Sequence, residues 1–295
     1  MKLILSLSGG GKRGILYSKL IPEIQKQHEI IGVYGVSIGA IVGFAIMSNI
    51  DLTTLFNTQE FKILLNLSND TQRSYVHDLT ENSRSEISNF PLNHEHTISV
   101  KKPLTPHIED MRGQCIVDHS LVNYFDISCR DNILKNALLR LFKLAKVNTN
   151  TIFKDFPGLC VSACIQGKPN VVYMSSVCNN DIRVFDALYA SACVPILFTP
   201  MLYKGLKLFD AGVLENLIIP GTSINQSSRV SSPMFNNVVG IYLDPVQTSQ
   251  WVIDALYTWQ YLWNLKYAQN CIPVFVANAR NYSEILNFIE NQVKT

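Results

Sequence analysis

Two short stretches hold the residue types from which an acyl-transfer site is made. Ser8-Gly9-Gly10-Gly11-Lys12-Arg13-Gly14 follows an apolar run and offers clustered backbone N–H groups to an anion. Gly35-Val36-Ser37-Ile38-Gly39 sits between two further apolar runs. A G-x-S-x-G pentapeptide in that setting turns sharply from strand to helix, which exposes the serine hydroxyl and points a helix N-terminus at developing negative charge. The two stretches read as a nucleophile and its oxyanion hole.

A serine hydroxyl needs a base, usually a histidine held by a carboxylate. The six histidines are His28, His77, His94, His96, His107 and His119, so none follows residue 119. An α/β-hydrolase places its acid and then its histidine late in the chain, and this chain does not. Either one of the histidines between residues 77 and 119 serves, or a carboxylate acts alone. Asp210, in Phe209-Asp210-Ala211-Gly212, is the best such carboxylate: a strand delivers it, and small residues follow it. Partial burial would raise its pKa toward the working pH and let it accept the serine proton.

With these residues in place the chain resembles the patatin-like phospholipases, whose pattern is a GGGxRG loop, a GxSxG elbow and a late Asp-Gly-Gly or Asp-Gly-Ala. Ala187-Leu188-Tyr189-Ala190-Ser191-Ala192-Cys193-Val194-Pro195 is similar to the family's Ala-Ser-x-Ala-x-Pro segment ahead of that aspartate. Order and spacing of the four blocks agree, over about residues 1–50 and 155–220. The resemblance implies Ser37 as nucleophile and Asp210 as general base of a Ser-Asp dyad. Gly10 and Gly11, joined by Gly9, would supply the oxyanion N–H groups, and Arg13 would brace the loop. Gly14, Gly35, Gly39, Ala211 and Gly212 are the supporting motif positions. It also implies acyl-lipid substrates such as phospholipid, no calcium, no metal and no cofactor. Two departures stand out: Ala211 where the family has glycine directly after the aspartate, and Ile218 where related chains often have proline.

Rival readings have weaker support. Gly9-x-Gly11-x-x-Gly14 also satisfies the dinucleotide fingerprint of an oxidoreductase, but Glu29 precedes the second strand instead of ending it. His94-Glu95-His96 with His107 is a thin metal reading in a polar, loop-like stretch. A non-catalytic lipid-binding or scaffolding protein on the same fold is the more serious alternative, against which the retention of Ser37 and Asp210 argues.

The elements that must position these residues are legible as periodicity. Lys2 to Leu7, Gly32 to Val36, Leu159 to Ile165, Val171 to Ser175, Leu206 to Phe209 and Val238 to Leu243 read as strands, most of them buried. Ile15 to Gln27, with Pro22 inside it, Ile38 to Met47, Asn132 to Lys146 behind an Asp131 N-cap, and Asp186 to Cys193 read as helices. Alternating strands and helices predict a parallel α/β sheet, and the resemblance makes it a three-layer α/β/α fold with a mainly parallel central sheet. One domain over 1–295 is expected, interrupted by a polar, partly helical cap at about 51–112. Gly221 to Pro233 reads as a surface loop.

Composition limits the partners. The formal net charge is only +2, so nothing in the composition suggests a nucleic-acid footprint. Ile30 to Ile50 is uncharged and long enough to span a bilayer, but its glycines and Ser37 cut it into strand and helix. Seven cysteines, several in apolar runs, suit reduced thiols in a cytosol-like compartment, and no export signal is evident at the N-terminus. Peripheral membrane contact has two candidates: Trp251 to Tyr267, which holds all three tryptophans, and the basic face of Lys135, Arg140, Lys143 and Lys146. Each also fits a plainer reading, a core-packing helix and a solvated helix face respectively.

Overall fold

The apolar runs become a single sheet in the computed structural model, which describes residues 1–65, 127–195, 197–220, 237–244 and 263–293. Its described strands are β1 (Lys2–Leu7), β2 (Glu29–Gly35), β3 (Leu159–Ile165), β4 (Val171–Ser175), β5 (Met201–Tyr203), β6 (Leu206–Asp210), β7 (Val238–Leu243) and β8 (Val274–Ala277). They run in the order β5-β6-β3-β2-β1-β7-β8, with β4 also on β3. The five strands from β3 through β2, β1 and β7 to β8 are mutually parallel, while β4, β5 and β6 pair antiparallel. Every residue of β7 is buried, as expected of a parallel strand covered on both faces.

The described helices are α1 (Tyr17–Gln25), α2 (Ile38–Met47), α3 (Leu52–Asn57), α4 (59–65), α5 (Ile127–Ala145), α6 (Val184–Ala192), α7 (263–269) and α8 (Ile285–Val293). One face of the sheet packs on α1, α2, α3, α5, α6 and α8 in a single core. The opposite face carries a second cluster, in which Ile4, Val238, Tyr242 and Val274 meet Leu217, Ile219, Ala268 and Ile272. The arrangement is the three-layer α/β/α fold with a mainly parallel sheet. Helix α2 lies deepest: Ile38 to Ile46 are all buried, and Phe44 stacks on Phe142 of α5 at 4.5 Å and on Phe156 at 4.9 Å.

Several boundaries differ from the expectation. β2 starts at Glu29 and not Gly32, because Glu29 N–H donates to Met1 O (2.8 Å) and pairing with β1 extends over exposed residues. Gly11–Leu16 forms a 3-10 helix ahead of α1, so the regular helix starts at Tyr17. Asp131 does not cap α5, which begins four residues before it. Its buried carboxylate instead accepts bonds from Tyr189 Oη (2.9 Å) and Thr199 N–H (2.8 Å), tying α5 to α6 and the loop after it. The expected apolar face of α5 is buried from Ile133 to Phe142. Ile30 to Ile50 is β2 and α2, and among the described residues no helix is long and apolar enough to cross a membrane. Most of the expected cap, the loop 221–233 and residues 251–262 of the tryptophan segment lie outside the described residues.

Candidate active site

The register of β3 explains how residues 37 and 210 meet. At Cys160 and Val161 the strand pairs with β4 on one edge and β2 on the other; at Ala163 and Cys164 it pairs with β4 and β6. A strand has two edges, so β2 and β6 share one edge of β3, end to end and antiparallel to each other. Gly35, opposite Val161, and Asp210, opposite Ala163, are therefore the facing ends of two strands. Ser37 lies two residues beyond Gly35.

The turn that carries Ser37 is strained and held from two sides. Ser37 has φ 54° and ψ −123°, a left-handed geometry that costs an L-residue about 1–3 kcal/mol. Val36 N–H donates to Leu7 O (3.1 Å), and Ser37 N–H donates to the buried Ser191 Oγ (2.9 Å) from α6. The flanking glycines leave no room for side chains. A Cβ on Gly35 would lie 2.5 Å from Ala40 Cα, and one on Gly39 would strike the carbonyls of Leu7 and Ser8. A Cβ on Gly14 would collide with Ile38, so the glycine loop packs directly on the start of α2.

The glycine loop closes over the serine. A Cβ on Gly9 would sit 3.1 Å from Ser37 Cβ and 2.5 Å from Asn216 Oδ1. Gly9 N–H is itself engaged by Asn216 O at 3.2 Å, which takes Gly9 out of the expected set of anion donors. Gly10 and Gly11 are left as the glycines whose N–H groups open a 3-10 helix, Gly11 at φ +53°. Arg13 links this loop to the end of β7: its Nε donates to Gly10 O (3.2 Å) and its guanidinium to Asp244 O (2.6 Å). Tyr17 Oη supports the loop from below by donating to Ser8 O (2.9 Å).

Asp210 is 4 % exposed, and burial pushes its carboxyl from 3.8 up to about 6. The nearby Ser37 side chain and the Gly212 N–H, which donates to Asp210 Oδ1 at 2.7 Å, pull the other way. Ala211 opens the 3-10 turn Ala211–Val213 and is not among the positive-φ residues, so alanine is accommodated where the family has glycine. Ile218 is buried, and its carbonyl accepts from Ser6 Oγ. Of the histidines, His28 stands at the other end of β2 from Ser37, and the remaining five lie outside the described residues. The stretch His94–His96 with His107 lies outside them as well. Among the described residues no group of three or more His, Cys, Asp or Glu side chains is placed to hold a metal ion.

Four residues without an assigned role in the sequence also build the site. Ser191 and Asn216 sat inside motif stretches whose composition gave no hint of their bonds to Ser37 and Gly9. Glu215, buried 5 % exposed beside them, accepts from Tyr173 Oη at 2.6 Å. An acidic residue after a turn reads as a solvated charge, and nothing in its type marks burial.

The patatin-like phospholipase family model matches residues 5–221. Matches among solved structures include VipD from Legionella pneumophila, at 15% identity and TM-score 0.36 over 97% of this chain and 58% of that one. They also include the ExoU–SpcU complex of the Pseudomonas aeruginosa type III secretion system, at 14% identity and TM-score 0.40 over 100% and 50%. The chain thus spans between half and three-fifths of the length of those chains. No curated protein matches it. The family match covers well over half of the chain and both ends of the Ser37–Asp210 contact, and the chain belongs to the patatin-like phospholipase family.

Proposed function

We propose that this lipid hydrolase cleaves fatty-acyl esters of phospholipids or related lipids by a Ser-Asp dyad, as a phospholipase A-type enzyme without calcium. The observation that carries the reading is the convergence of two strand ends on one edge of β3: Ser37 on its strained turn just past Gly35, and Asp210 with a buried carboxyl whose pKa is pushed up to about 6. Asp210 takes the hydroxyl proton as Ser37 Oγ attacks the ester carbonyl carbon. The oxyanion forms beside the N–H groups of Gly10 and Gly11, donors of a kind whose loss typically costs about 100- to 1,000-fold in rate. Protonated Asp210 returns the proton to the departing alcohol, leaving an acyl-serine. A water molecule, deprotonated by the same carboxylate, attacks the acyl carbon and releases the fatty acid.

Each role is filled by a group of the chain, so chelation should leave the rate unchanged. The test is fatty-acid release from a mixed phospholipid extract with excess EGTA present. Wild-type protein is expected to release fatty acid and lysolipid, and Ser37→Ala neither. Release that survives in Ser37→Ala, or that vanishes with EGTA, would contradict the reading. The single domain over 1–295 belongs to the same proposal, as does peripheral contact with the membrane that holds the substrate.

A further inference from the structure

We propose that Tyr173 and Glu215 form a positioning pair for the Ser37–Asp210 site, an inference that rests on the hydrolase reading above. The segment from residue 210 to 216 serves both halves of that site. Its first residue is Asp210; its last, Asn216, accepts the Gly9 N–H and places its amide oxygen against Gly9 and Gly212. A displacement of this segment therefore moves the carboxylate and the back of the glycine loop together.

Local structure alone holds it weakly. Between the two ends lies one 3-10 turn of three residues, closed by Leu214 N–H and Glu215 N–H donating to Ala211 O (2.9 and 2.7 Å). Val213 and Leu214 are exposed, so neither anchors the segment by burial. Glu215 reaches across: its carboxylate accepts from Tyr173 Oη, 42 residues away on β4. β4 is held along one edge of β3 by five residue pairs, and the other edge of β3 carries β2 and β6. The Tyr173–Glu215 bond closes a ring from β6 through the turn to β4 and back through β3.

The surroundings make the bond directional. Tyr173 packs against a small apolar cluster of Val36, Cys160, Cys164, Ala211 and Ile218, whose members Val36 and Ala211 directly adjoin Ser37 and Asp210. A carboxyl group buried there costs stability that a leucine would not. The hydrogen bond that offsets this cost also fixes where the turn sits, since an unpaired orientation is expensive in such a medium.

The experiment measures hydrolysis of a soluble short-chain p-nitrophenyl ester, per folded molecule by circular dichroism, for wild type, Tyr173→Phe, Glu215→Leu and Glu215→Gln. Tyr173→Phe and Glu215→Leu should lower kcat about ten- to a hundredfold with KM nearly unchanged, the signature of a misplaced catalytic group. Glu215→Gln keeps an oxygen that accepts from Tyr173 and should retain kcat within about threefold. Lower melting temperatures with wild-type kcat per folded molecule would overturn the proposal, because a purely structural pair leaves the turnover of folded protein untouched. If Tyr173→Phe does not fold, the contrast between Glu215→Gln and Glu215→Leu decides, and equal kcat in the two overturns it. Folded wild-type protein with no esterase activity would remove the hydrolase reading itself, and the positioning role with it.

Discussion

Burial of Asp210 penalises its ionised carboxyl in the fold, whereas the proposed mechanism needs that ionised form, so stability and activity respond oppositely to pH. Its folded pKa, about 6, lies above the ordinary 3.8, so between those values the folded state holds more protons than the unfolded chain. Stability from this group is therefore greatest below pH 4 and falls as pH rises toward 6. The proposed catalysis runs the other way, because in that mechanism the ionised carboxylate is the base. We expect kcat/KM to rise with pH up to about 6 and then level, and Asp210→Asn to lose nearly all activity at every pH. The same variant should be more stable than wild type at pH 8, by on the order of 1–3 kcal/mol. Near-wild-type activity in Asp210→Asn would transfer the base to a histidine. Ser191 allows a second test at this scale. Removing its hydroxyl leaves the buried Ser37 N–H without that acceptor in an already strained turn. Ser191→Ala should lose about 1–3 kcal/mol of stability in denaturant titration.

At the scale of elements, two contacts fix where the elbow stands. Helix α2 leaves the sheet so closely that Gly39 lies on the carbonyls of β1, and α5 clamps it from outside through Phe142 on Phe44. Phe142→Ala should cost about 3–5 kcal/mol by thermal or denaturant unfolding while the folded fraction keeps its turnover, since Phe142 touches no reacting group. β1, α2, β3, β4 and β7 were readable from sequence to the residue, because each is a continuous apolar run bounded by glycine, polar or turn residues. β5 and β8 were not read, being only three and four residues long. Asp131 misled because its type suits a helix cap, whereas a tertiary bond to Tyr189 claims its carboxylate. The candidate site is legible where motif chemistry dictates residue type, at Ser37, Asp210 and the glycines, whose roles are proposals. It was silent where a polar side chain braces backbone from a distance, as Ser191, Asn216 and the Tyr173–Glu215 pair do. Burial and long-range hydrogen bonds leave no periodic trace in a sequence.

The molecule as a whole is held by one sheet in which β1, the first strand of the chain, is the middle of the five parallel strands, and β7 and β8, the last two described, complete one side of it. β1 pairs with β2 on one side and with β7 on the other, and β8 adds beyond β7. The family match ends at residue 221, yet the sheet needs residues 238–277 to cover that second edge. A chain of residues 1–221 should therefore show no cooperative unfolding transition by circular dichroism, whereas the full chain unfolds as a unit. A cooperative melt of the shorter chain would show that β7 and β8 are accessory. The central claim is narrower: the hydroxyl of Ser37 is activated by the carboxyl group of Asp210. Its most direct measurement is the rate of covalent modification by a fluorophosphonate, read by intact mass and located by peptide mapping. Wild-type protein should gain one adduct, on Ser37, at a rate that rises with pH up to about 6, and folded Asp210→Asn should react far more slowly. A folded wild-type protein that stays unmodified, or an adduct formed as fast in Asp210→Asn, would contradict the account.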